Sequence, residues 1–207
     1  MLKLRDYVLS GSCYKVRLLL ALLKLDYERV PVDFHPGRQH KSAEYLALNP
    51  LGQIPILEDG PLVLRDAQAI LAHLANAYDP GQSWLPRDER FGPVMMWLNF
   101  AGGELMALSA ARMHDMLGYE LDIETARANG RKALRILDDH LADRGIDGGE
   151  WIVGDTPTIA DIACFPYVAL SHDSGIGHED YPAINLWQRR VRKLPGFISM
   201  PGIPDYF

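Results

Sequence analysis

At 207 residues the chain is long enough for one large domain or two modest ones. A composition of 48% hydrophobic and 23% charged residues is that of a globular protein, and no apolar run approaches the roughly 18 residues that a membrane span requires. The formal charge of -6 argues against a nucleic-acid binder, whose affinity rests on clustered Lys and Arg.

Leu2, Leu4 and Val8 fall on one face of a strand over 2–9, with Asp6 as an interruption. Val16, Leu19, Leu20 and Leu23 then recur at helical spacing, which predicts a helix from Cys13 to Lys24. The stretch from Val16 to Leu23, apolar but for Arg17, is not expected to be a signal peptide: Asp6 precedes it, Lys24 and Asp26 follow, and no small-residue cleavage site appears. Only Cys13 and Cys164 occur, too few for a disulfide framework or a zinc site, so a cytoplasmic, reducing location is expected. Val30, Val32 and Phe34 alternate again, which completes a right-handed strand, helix, strand crossover.

A short helix follows, stopped at Asn49-Pro50, and then two apolar pieces flank Asp59-Gly60, a hairpin signal. Asp66 opens a helix with Ile70, Leu71 and Leu74 facing inward. The order βαβαββα is the thioredoxin-like arrangement of a mixed sheet with helices on both faces, and we expect it to occupy residues 1–78. Asp79 to Ser83 reads as a linker. From 86 to 207 the pattern is helical throughout: Val94, Trp97, Leu98, Ala101, Leu105 and Leu108, later Leu134, Leu137 and Leu141, then Ile159 to Val168. The fold class expected is α/β thioredoxin-like, followed by an all-α helical bundle. The acidic excess lies wholly in this second part, which leaves room for an anionic ligand in the first. Arg189 to Lys193 sit in a helix's last turn, where the macrodipole favours cations.

Several stretches carry local chemistry. In SGSCYKVR, Ser10 and Ser12 each suit a turn or an N-cap, and Cys13 a small buried helix position. In NPLGQIP, Pro55 lacks an N–H and forces Ile54 to be extended or turning. In LRDAQAI, Asp66 is suited to capping a helix whose free amides attract a carboxylate. In GDTPTIADIA, Thr158 and Asp161 have the spacing of a capping box, a structural role. Five of the seven Met residues fall between Met95 and Met116, with Trp97 and Phe100 among them, as suits either an adaptable apolar pocket or a Met-rich core. Arg112 is read either as reaching toward a ligand or as solvated, and His172, Asp173, His178 and Glu179 as a polar loop whose spacing matches no metal motif.

Taken in order and spacing, these four motifs resemble the glutathione S-transferase family, in particular its bacterial, serine-type, theta- and zeta-like members, over nearly the whole chain. The resemblance implies conjugation of the thiolate of glutathione to small hydrophobic electrophiles, with glutathione as co-substrate, no metal, and a homodimer. It implies a cis bond before Pro55, with the backbone of Ile54 pairing with the cysteinyl backbone of glutathione. Asp66 and the amide of Ala67 would hold the γ-glutamyl end, Ala67 standing where relatives usually have Ser or Thr. Gln39, His40 and Gln53 would face the tripeptide's backbone or glycyl end. Alignment on Val16-Arg17 puts the active serine on Ser10, with Ser12 and Tyr7 as rivals. Met96, Phe100, Arg112 and Met113 would border the electrophile. The alternatives are glutathione-dependent disulfide or peroxide reduction, isomerisation, or a non-catalytic glutathione-binding module.

Overall fold

The computed structural model describes residues 1–203. Four strands form one sheet in the order β2-β1-β3-β4, with β1 (Leu2–Asp6), β2 (Tyr27–Pro31), β3 (Ile56–Asp59) and β4 (Leu62–Leu64). β1 runs parallel to β2 and antiparallel to β3, and Leu4 faces Arg29 on one side and Leu57 on the other. The hairpin from β3 to β4 turns at Gly60, whose φ of 58° needs a residue without a Cβ penalty.

Asp6 does not interrupt β1. It is fully buried on the same face as Leu2 and Leu4, whereas Val8 lies beyond the strand and is 42% exposed. The carboxylate is tolerated there because the guanidinium groups of Arg17 and Arg29 both donate to it. Similarly, β2 ends at Pro31, so Val32 and Phe34 extend past the sheet.

Helix α1 (Gly11–Leu22) starts two residues earlier than its apolar period suggests, because Ser10 caps it. It packs against α3 (Ala67–Tyr78) and, across the molecule, against α7 (Ile159–Ala169). Helix α2 (Ala43–Leu48) lies over a small separate cluster of Val32, Tyr45 and Ile56.

The remaining helices are α4 (Phe91–Gly102), α5 (Met106–Leu117), α6 (Ile123–Ile146) and α8 (Pro182–Arg192). The stretch Phe91–Leu117 is apolar enough on average to cross a bilayer by length and composition, with a mean hydropathy of 1.2. Here it is two helices, broken at Gly103, and both pack in the bundle. Every residue of α7 is buried, and its start carries the predicted box: Thr158 N–H donates to Asp161 Oδ2 at 2.8 Å while Thr158 Oγ accepts from Ala160 N–H. Asp161 also accepts from Ile152 N–H and from Trp187 Nε1 at 2.8 Å, so it joins the loop before α7 to α8. One continuous apolar core runs from Leu2 and Leu4 through α1 and α7 to Trp187.

Candidate active site

The carboxyl end of β1, the start of α1, the loop before β3 and the start of α3 converge on one cleft of about 370 Å³, closed on the far side by α5 and α7. Tyr7, Ser10, Ser12, His40, Gln53, Ile54, Pro55, Asp66, Ala67, Arg112 and Met113 all line it.

Ser10 occupies the N-cap of α1, and its Oγ accepts the Cys13 N–H at 3.2 Å. Accepting uses a lone pair, so the hydroxyl proton stays available to a ligand at the positive end of the helix. Ser12 Oγ lies 2.8 Å from the Tyr167 hydroxyl, across from α7. Tyr7 packs its ring on Phe34, centroids 5.4 Å apart. Cys13 is fully buried, and its thiol is pushed up to about 12, first by burial and then by the Asp6 carboxylate. Such a thiol is not a nucleophile.

The Ile54–Pro55 bond is cis. The loop before it is held by Tyr45 Oη and Asn49 Nδ2, which both donate to the Gln53 carbonyl at 3.1 and 2.8 Å. Neither the N–H nor the C=O of Ile54 is bonded among the described residues, so a length of unpaired backbone just before β3 borders the cleft. At the start of α3, Asp66 Oδ1 accepts the Ala69 N–H at 2.9 Å, which leaves the Ala67 and Gln68 amides for an anion. His40 is 3% exposed and stacks on Phe34, with ring centroids 4.1 Å apart, and its Nδ1 is buried without a partner. Burial, with Lys41 and Arg38 nearby, holds the His40 pKa below its ordinary value, so the ring stays neutral.

Three predicted residues do not reach the cleft. Gln39 turns away, its Oε1 accepting the Asp33 N–H at 2.9 Å. Met96 is 58% exposed on α4, and Phe100 packs edge-on against Trp97. With the break at Gly103, α4 reaches the cleft only through its last residue, Gly102, and α5 lines it through Met106, Met113 and Met116. Arg112 is not solvated: it is 8% exposed, donating from Nη1 to the Leu9 carbonyl at 2.7 Å and from Nε to Asp173 at 2.8 Å.

The sequence reading missed Phe34, Lys41, Arg65, Gln68, Ser109, Tyr119 and Tyr167 in the lining. The seven-residue step from Met106 to Met113 carries the signal for the α5 face, since it is two helical turns. Tyr167 carries no local signal. A second hollow, of about 570 Å³, lies in the helical half beside His172 and Gln188 and includes none of the predicted ligand-binding residues. There His178 Nε2 lies 2.8 Å from the Val168 carbonyl and 2.7 Å from Ser171 Oγ, and no cluster able to hold a metal occurs among the described residues.

Hydroxyl donors and a helix N-terminus beside unpaired backbone are an arrangement that can hold an extended peptide-like ligand and favour an anion over its neutral form. Residues 2–76 match the family model for the glutathione S-transferase N-terminal domain, and residues 93–190 match that for the C-terminal domain. Glutathione S-transferase 3 of Zea mays is 31% identical over 95% of this chain and 91% of its own length. The maleylacetoacetate isomerase of Pseudomonas aeruginosa is 29% identical over 93% and 90%. A crystal structure of a possible glutathione S-transferase from Rhodopseudomonas palustris superposes with a TM-score of 0.84 at 32% identity, covering 100% of this chain and 98% of that one. The chain belongs to the glutathione S-transferase family and is a glutathione transferase, with a thioredoxin-like half followed by a helical half.

Proposed function

We propose that the protein transfers glutathione to small hydrophobic electrophiles, with Ser10 as the donor to the glutathione sulfur. The observation that carries this reading is the cap geometry, since Ser10 Oγ accepts from Cys13 N–H and keeps its proton for the cleft. A thiol near ~8.5 is only a few per cent ionised at neutral pH. A hydrogen bond to the charged sulfur worth ~1.5–3 kcal/mol lowers that value by about one to two units, and the helix end adds ~0.3–1 kcal/mol in the same sense. The unpaired backbone of Ile54 suits the cysteinyl backbone, and Asp66 with the amides of Ala67 and Gln68 suits the γ-glutamyl end. His40 and Gln53 stand toward the glycyl end, and Gln39 has no part in this reading. The methionines of α5, with Tyr119, offer an adaptable apolar wall to the electrophile. A disulfide reductase working through Cys13 is disfavoured by that thiol's burial. Isomerisation, the activity named for the Pseudomonas relative, would use the same thiolate.

The test is titration of bound glutathione by ultraviolet absorbance. Ser10→Ala should raise the thiol pKa by about one to two units while binding persists; an unchanged value would move the donor to Ser12 or Tyr7.

We also take residues 1–78 and 86–207 as the two domains, a cytoplasmic location, a role in detoxification, and a two-fold homodimer. Leu62 and Val63 on β4, with Phe91 and Met96 on α4, are exposed apolar groups available for pairing. Sedimentation at micromolar concentration should show a dimer that Val63→Glu weakens; a monomeric wild type would remove the pairing.

A further inference from the structure

Lys15 lies on α1 about one turn from the cleft-lining Gly11 and Ser12, and its side chain is fully buried. Its Nζ has no hydrogen-bond partner and sits 4.7 Å from the centroid of the Tyr167 ring. Burying an ammonium without a partner is unfavourable enough that ordinary cores exclude it, so its retention calls for a reason. The groups around it are the Tyr167 ring, the Cys164 thiol and, further off, Asp66. Burial lowers the lysine only to about 8, so it is still a cation at neutral pH.

The ring beneath that cation is tied to the glutathione site. Tyr167 is 5% exposed and borders the cleft, and its hydroxyl lies 2.8 Å from Ser12 Oγ. The ring reaches Ser12 only because residue 11 is glycine: a Cβ there would come within 2.7 Å of Tyr167 Cε1. Ser12 has one proton. If it donates to Tyr167, only lone pairs face the sulfur, which repels a thiolate. If Tyr167 donates to Ser12, the serine proton is free for the cleft. A phenol is the better donor of the two, and a cation over the ring face draws electron density from it and strengthens that donation.

We propose that Tyr167, backed by the buried Lys15 cation, is a positioning residue that fixes Ser12 as a second hydroxyl donor to the glutathione sulfur, beside Ser10. The inference rests on the reading that the sulfur lies at the start of α1. No bond is made or broken by Tyr167, whose proton stays on its own oxygen. Burial raises its pKa, which keeps it a phenol throughout the working range.

The experiment measures the thiol pKa of bound glutathione, with affinity and thermal stability, in wild type, Ser12→Ala, Tyr167→Phe, Lys15→Met and the Ser12→Ala/Tyr167→Phe double variant. Tyr167→Phe removes only an oxygen and should raise the thiol pKa by about half to one unit, a three- to tenfold loss of rate near pH 6.5 that disappears above pH 9, with little change in glutathione affinity. Lys15→Met should shift the pKa in the same direction, while its stability holds or rises, because an apolar chain replaces a buried charge. The double variant should match Ser12→Ala alone, since Tyr167 acts through that serine. A wild-type thiol pKa in Tyr167→Phe or in Lys15→Met, or additive effects in the double variant, overturns the proposal. If the wild-type complex itself shows no lowering of the thiol pKa, the parent reading of the site fails instead, and the two failures are told apart by that one control.

Discussion

Asp6 shows how a single side chain organises the site from behind. Its carboxylate accepts from Arg17 and Arg29, and Arg17 goes on to donate to the carbonyls of Tyr7 and Val8 at 3.3 and 3.0 Å. The loop that carries Ser10 therefore hangs on a guanidinium that Asp6 neutralises. Removing the acid leaves Arg17, 7% exposed, as a buried uncompensated charge. Asp6→Ala should accordingly cost about 3–5 kcal/mol in urea unfolding, far above a surface change. Arg29→Ala, which removes a partner that is 44% exposed and leaves Arg17 in place, should cost much less. Equal losses in the two variants would show that the Asp6–Arg17 pair is not what steadies the loop. In the sequence this acid looked like a defect in a strand, because one carboxylate among leucines carries no sign of the arginines, 11 and 23 residues away, that satisfy it.

At the scale of elements, the capping box of α7 was readable because both partners lie three residues apart, and Thr158 with Asp161 appears as expected. Thr158→Ala should cost ~0.5–2 kcal/mol, toward the upper end because the site is fully buried, with the activity of the folded fraction retained. A matched loss of kcat at saturating glutathione would mean that the box does more than start a helix. The hairpin at Asp59-Gly60 and the start of α3 were legible on the same local grounds. The break between α4 and α5 was not, since Ala101, Leu105 and Leu108 continue the apolar period across it and only Gly102-Gly103 marks the stop. That one break explains why Met96 and Phe100, expected to border the electrophile, lie outside the cleft, while Met106 and Met116, read only as part of the methionine-rich stretch, line it. Tyr167 lay beyond any local reading, because its partner Ser12 is 155 residues away and its neighbours spell an ordinary buried helix.

For the molecule as a whole, acid stability turns on a histidine remote from the chemistry. His178 joins three pieces of the helical half: Nε2 lies beside the Val168 carbonyl of α7 and the Ser171 hydroxyl, and Nδ1 lies 3.2 Å from Gln188 Nε2 on α8. With Gln188 donating to Nδ1 the ring is neutral, and a proton there would disrupt that bond. Burial, reinforced by His172 at 4.3 Å between ring centroids, lowers its pKa from 6.5 to about 4. Between those values the unfolded chain binds a proton that the folded chain refuses, so stability rises with pH there and is lost as pH falls from 6.5 toward 4. The shift corresponds to a loss of about 3 kcal/mol across the window. His40, also held low, adds to it in the same sense. Carboxylates held low, such as Asp59 beside His73 and Tyr78, have an unfolded value of 3.8 and lose their contribution mainly below it. Urea unfolding of the wild type at pH 7.5 and pH 5 should therefore differ by more than 1 kcal/mol, and His178→Gln, which cannot titrate, should flatten most of that slope whatever it does to stability at neutral pH. A variant with the wild-type slope would assign the acid sensitivity to other groups.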